Sequence, residues 1–254
     1  LSLLSILFDI TSLISLIILS SIKALSLNEK GAQKLSECIK KNPDGYSVKF
    51  NDEIVDLTLE EVQHGVGGYN VDSDSLGLKI LETAYAKLKN PNRKSKDALS
   101  GTVSHLQARD VLKDVFGCET FELASNASTK NGIYNEAFQT SAKELLDKIP
   151  SRPSDFMIVA GTKKGKGGLT EQLGLIHQHA YCLKGVDSQK GIVKVIDPYN
   201  SDEVIDVKIE DFVKCFDNIT GIDLTSKYNE IAKTIQDASS KSNITETGKI
   251  CLTK

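Results

Sequence analysis

The 254-residue chain is 40% apolar and 26% charged, an ordinary balance for a globular protein, and it can bury a substantial core as one large domain or two packed lobes. Its net charge of −3 gives no electrostatic reason to expect a nucleic-acid partner. The five cysteines, at 38, 118, 182, 215 and 251, form no Cys-x-x-Cys pair and no metal spacing with histidine, so they read as free thiols in a reducing, cytoplasmic setting.

Leu1 to Ile22 carries one charge, Asp9, among Leu, Ile, Ser, Thr and Phe. The stretch is long enough to span a bilayer or to act as a secretory core, but it has no basic lead-in and no small-residue cleavage site. The first residue is leucine and the single methionine is Met157, so the expectation is a fragment or a mispredicted N-terminus. Its serines and Asp9 disfavour membrane insertion and favour a buried apolar helix through Leu25.

Asn28 is placed to cap a second helix over 29–41, ended by Asn42-Pro-Asp-Gly45. Tyr46 to Phe50 and Ile54 to Leu57 alternate around Asn51-Asp-Glu53 and predict a β-hairpin. Asp74 is placed to cap a helix through Leu88, with Leu76, Ile80, Leu81 and Ala84 at helical spacing. Lys89 to Lys96 reads as a loop, His105 to Phe116 as a helix stopped by Gly117, and Asn135 to Ile149 as a helix broken by Pro150 and Pro153.

From Asp155 the period changes. Phe156 to Ala160 predicts a buried strand, followed by a basic Gly/Lys loop over 161–168 whose spacing does not fit a phosphate-binding loop. Gly174 to Asp187 and Gly191 to Asn200 read as two strands of a hairpin turned at 187–190. A strand near Val204 to Val207 and a helix over 209–216 follow, then a helix near Tyr228 to Ala238 and a polar tail. Helices thus dominate the first half and strands the second, an α+β arrangement. Tripeptides of the N-glycosylation type occur at Asn126, Asn218 and Asn243, a pattern common by chance in an Asn/Ser-rich chain.

The 174–200 hairpin offers one group for chemistry on each strand, His179 and Asp197. A hairpin makes such residues neighbours, so an imidazole and a group able to orient it meet there. On spacing alone the pair better suits a satisfied core histidine and a turn aspartate before proline. His177, two residues earlier and expected on the same face, is the competing base.

His179-Ala180-Tyr181 followed by Asp197-Pro198-Tyr199-Asn200 resembles the His-Ala-Tyr and Asn-Pro-Trp motifs of calpain-like cysteine proteases. Leu76 to Leu88 is similar to a helix of that family reading Leu-Trp-x-x-Leu-Leu-Glu-Lys-Ala-Tyr-Ala-Lys, and Gly67-Gly68-Tyr69 with Asp72 and Asp74 sits where the family has an acidic lead-in. The resemblance spans roughly residues 20–220 and implies a papain-like, two-lobed α+β catalytic domain over 1–225. Its helical lobe would cover about 1–150 and its antiparallel β lobe about 151–225, with 226–254 a C-terminal helix and tail. It further implies cysteine-type endopeptidase activity on a protein or peptide substrate. His179 would be the base and Asp197, in place of asparagine, the group that fixes its tautomer.

The nucleophile is missing. The stretch over 19–31 resembles the continuation of the family's central helix, which puts the cysteine position on or near Leu16 and the glutamine position near Ile10. Neither residue can attack a carbonyl or hold an oxyanion. Cys38 belongs to the next helix, Cys118 has no base beside it in sequence, and Cys182 lies three residues beyond His179, on the other face of a strand. Ser15 and Ser20 flank Leu16 in an apolar helix, where serine bonds its own backbone. The alternative reading is an inactive homologue that binds peptides or partners. Calcium is a conditional expectation: many relatives are calcium-activated, and Asp44, Asp72 and Asp74 offer hard oxygen ligands, without any EF-hand loop.

Overall fold

The computed structural model describes residues 16–64, 76–90, 92, 107–117, 119–125, 133–149, 156–165 and 168–223. The chain divides into two compact units, Leu1–Gly117 and Cys118–Lys254. Both combine helices with antiparallel strands, so the protein is α+β.

In the first unit, helix α1 runs over 16–26, and Leu16, Ile18, Leu19, Ile22 and Leu25 are buried. Ser20 and Ser21 turn their hydroxyls back onto the carbonyl of Ile17, which lets a polar side chain sit in an apolar helix. Helix α2 is Glu29–Cys38, capped by Asn28, whose Oδ1 accepts from the N–H groups of Lys30 and Gly31. A Cβ at Gly31 would lie 2.1 Å from the Leu25 carbonyl oxygen, so only glycine allows this approach.

The helix expected to continue through Lys41 stops at Cys38. Residues Ile39–Asn42 form strand β1, which pairs with β2 (Gly45–Phe50), and β2 pairs with β3 (Glu53–Thr58). The Pro43-Asp44 turn offers the 39–42 backbone a ladder of cross-strand bonds, and those bonds override local helical propensity. Helix α3 (Leu59–His64) follows, then α4 (Leu76–Lys89) and α5 (Ala108–Phe116). Tyr85 of α4 meets Phe50 edge-on at 5.6 Å and donates its hydroxyl to Asp114 of α5 at 2.8 Å, which ties sheet and helices into one core.

The second unit is a six-stranded antiparallel sheet in the order β4-β9-β5-β6-β7-β8. Its strands are β4 (Phe121–Ala124), β5 (Phe156–Thr162), β6 (Ala180–Asp187), β7 (Ile192–Asp197), β8 (Asn200–Lys208) and β9 (Phe216–Asp223). Helices α6 (Ile133–Lys148) and α8 (Ile209–Cys215) cover one face, and the four-residue α7 (Leu169–Gln172) follows β5. Leu145, Leu146, Phe212 and Phe216 fill that core against Ile158, Ala160, Tyr181, Val195 and Ile219, the inward residues of strands with period two. Helix α6, which the sequence places with the helical half, packs in this unit.

Strands β4 and β9 were not apparent in the sequence. Strand β9 nevertheless lies between β4 and β5, with Phe121 opposite Gly221 and Ile158 opposite the same residue. A Cβ at Gly221 would meet the Met157 carbonyl and the Phe121 ring, both at 2.7 Å, so this inner position accepts only glycine. Asn218, one of the three glycosylation tripeptides, lies in this inner strand with its amide bound to Glu122. Residues 228–238, read as a helix, lie outside the described residues.

Candidate active site

His179 directly precedes β6 rather than lying within it, and Asp197 is the last residue of β7. The two strands are antiparallel neighbours, with Cys182 opposite Ile196, so their ends bring the two side chains together. His179 Nε2 lies 2.9 Å from Asp197 Oδ1, within the reach that the hairpin reading requires. Both groups are largely sheltered, with side-chain exposures of 8% and 15%. The same Oδ1 accepts the backbone N–H of Tyr199 at 2.9 Å, which turns the Asp197-Pro198-Tyr199 corner and fixes the carboxylate.

Burial works against the Asp197 charge, yet the hydrogen bonds from His179 and from the Tyr199 N–H hold its carboxyl below the ordinary value. An ionised carboxylate only accepts, so the proton of a neutral His179 sits on Nε2. That leaves the Nδ1 lone pair free, and among the described residues Nδ1 has no hydrogen-bond partner. The ring is therefore set as a base whose cationic form a carboxylate would stabilise.

Tyr181 shares the face of His179, as strand alternation requires: the rings meet edge-on at 4.9 Å, and Tyr181 is 1% exposed. Burial first, then the nearby Asp197 charge, push its phenol up to about 12, against the lowering effect of the Ile176 N–H, so it stays neutral. Its hydroxyl accepts that Ile176 N–H at 2.9 Å. Tyr199, 40% exposed, stands on the other side of the imidazole at 5.9 Å between ring centroids.

His177 does not share this face. Gln178 adopts φ 52°, and this left-handed residue breaks the alternation between 177 and 179. His177 instead turns Nδ1 toward the carbonyl of Lys163 at 3.4 Å and Nε2 toward Glu171 at 3.8 Å, away from Asp197. The segment over 169–179, expected to begin a strand at Gly174, is α7 followed by turns. Thr162, at the end of β5, was not singled out in the sequence. It bonds His179 and Ile176 together, and no spacing rule connects these residues.

The described thiols of the second unit, Cys182 and Cys215, supply no nucleophile to this ring. Cys182 is fully buried on the opposite face of β6 from Tyr181, and Cys215 is buried beside Thr170. Burial pushes the thiols of Cys38 and Cys215 up, the reverse of activation. Leu16 is a buried hydrocarbon at 3% exposure, and Ile10 lies outside the described residues. Among the described residues no group of three or more His, Cys, Asp or Glu side chains is arranged to hold a metal ion. Asp44 sits in an exposed turn, while Asp72 and Asp74 lie outside the described residues. No described helix is long and apolar enough to cross a membrane.

No protein-family model matches the chain, and no curated protein matches it significantly.

Proposed function

We propose that this chain is a calpain-like cysteine endopeptidase domain of papain-like, two-lobed fold. Its second unit holds the acid–base half of the machinery, and the nucleophile position falls on or near Leu16. The observation that carries the reading is the contact of 2.9 Å between His179 Nε2 and Asp197 Oδ1, which leaves Nδ1 as the proton acceptor. In peptide hydrolysis Nδ1 would take the thiol proton and return it to the leaving amine. Asp197 would hold the tautomer and stabilise the imidazolium in the role an asparagine has in the family. The substrate is a protein or peptide, and the free thiols Cys38, Cys182 and Cys215 fit a reducing, cytoplasmic setting.

A second reading, a protease homologue that binds peptides without cleaving them, is favoured by the buried Leu16 and by the burial of Cys182 on the opposite face of β6 from Tyr181. One comparison separates the two. The chain as it stands is incubated with unfolded, fluorescently labelled casein, beside an extended version in which its own upstream coding sequence takes the place of the residues before Leu19. Turnover by the extended version alone, stopped by thiol alkylation and by His179→Gln, establishes the endopeptidase. An upstream sequence without Gly-x-Cys-aromatic removes it. Casein binding without turnover then establishes the binding protein.

A further inference from the structure

The turn that delivers His179 is built around a conformation its sequence disfavours. Apart from Gln178, Asn51 is the non-glycine residue with positive φ among the described residues, at 49°. Asparagine tolerates the left-handed region well, whereas glutamine has no such preference. A left-handed residue of this kind persists only where its surroundings over-determine it.

Those surroundings are concentrated on Thr162. Its N–H donates to the His179 carbonyl at 2.9 Å, and its Oγ1 accepts the His179 N–H at 2.9 Å. The single hydroxyl proton goes to the nearer of two carbonyls, that of Ile176 at 2.6 Å rather than that of His179 at 3.2 Å. One side chain, 5% exposed, thus spans the kink and joins residue 176 to residue 179. Tyr181 holds Ile176 from the other end through its N–H, and the Gln178 N–H reaches the Lys163 carbonyl at 3.3 Å. Backbone groups on both sides of Gln178 are therefore occupied, and the direction in which the chain enters β6 is set before any contact by the imidazole.

We infer that Thr162 is the positioning residue of this site: its hydroxyl clamps the kink at Gln178 so that His179 presents Nε2 to Asp197 and keeps Nδ1 free. This rests on reading His179 as the base, and it adds the group that aims it. The hydroxyl is required as both acceptor and donor, so serine can replace threonine and valine cannot. The strain at 178 and the clamp at 162 also form one unit, so their substitutions interact.

The test uses the full chain with 13C,15N-labelled histidine and follows the imidazole nitrogens and the Nε2–H proton by NMR. In the wild-type chain we expect the Nε2–H tautomer of His179 and a slowly exchanging Nε2–H. Thr162→Val should mix the tautomers and speed that exchange about tenfold, the factor expected for one lost buried hydrogen bond. Thr162→Ser should restore both signatures. If Thr162→Val does not fold, the same spectra of Thr162→Val combined with Gln178→Gly decide, because glycine relieves the kink while the clamp stays absent. A Thr162→Val protein that melts earlier but keeps the wild-type tautomer and exchange rate overturns the positioning role and leaves the base reading intact. A wild-type chain without the Nε2–H tautomer removes both.

Discussion

Asp197 holds His179 Nε2 at 2.9 Å with the same carboxylate oxygen that accepts the Tyr199 N–H, so one atom fixes both the ring and the turn after β7. Asp197→Asn keeps an acceptor for both donors and should cost less than about 1 kcal/mol. Asp197→Ala strands a buried imidazole N–H and should cost about 1–3 kcal/mol. Urea unfolding at neutral pH checks this, and equal midpoints for the two variants would refute it.

Acid sensitivity follows from the same carboxylate. Its folded-state pKa lies below the unfolded value of about 3.9, so the unfolded chain binds the proton first as pH falls. The contribution is complete above the unfolded value and is lost as pH drops through the lowered folded one. Asp217 has the opposite sign, because burial raises its pKa against the opposing pull of Lys163. Its titration adds stability as pH falls from the raised value toward about 3.9. Below about pH 5 Asp197→Asn should flatten the loss of stability, and Asp217→Asn should raise stability at pH 7. Denaturant midpoints measured from pH 7 down through the acid range test both: an unchanged acid slope in Asp197→Asn, or an unchanged pH 7 midpoint in Asp217→Asn, would contradict the assignment.

Gln178→Gly should stabilise the protein. A left-handed L-residue costs about 1–2 kcal/mol, and glycine's greater freedom in the unfolded chain takes back about 0.4–1 kcal/mol. The net gain is about 0.5–1 kcal/mol, read from a raised urea midpoint. A lowered midpoint would show that the Gln178 side chain contributes more than its backbone costs.

The thiols provide a separate check on the fold. Cys38, Cys182 and Cys215 are buried and free, and burial raises the pKa of Cys38 and Cys215. In native buffer these three should resist a thiol reagent, and in guanidinium all five cysteines of the chain should react. Rapid native labelling of Cys182 would place it outside the sheet and undo the register of β6 with β5 and β7.

Much of the secondary structure was legible because it is written in short periods. The Asn28 cap, the 45–58 hairpin, the apolar repeat of α4, and the hairpin carrying His179 and Asp197 all depend on residues a few positions apart. Distant partners decided the rest. Strand β9 has an inner place because β4, almost a hundred positions earlier, supplies its other edge, with Glu122 bonded to Asn218. The 39–42 segment left the helix for a strand because β2 was there to pair with it. His179 and Asp197 were visible as residues, and the Ala-Tyr context already favoured His179 over His177, but the separation of the two imidazoles belongs to the fold. Gln178 turns the chain left-handed, and Thr162, 17 positions before His179, holds that turn in place. Periodicity reports which face a residue takes in a regular element. A kink held by hydrogen bonds from another strand breaks that regularity, and only the assembled sheet brings those bonds together.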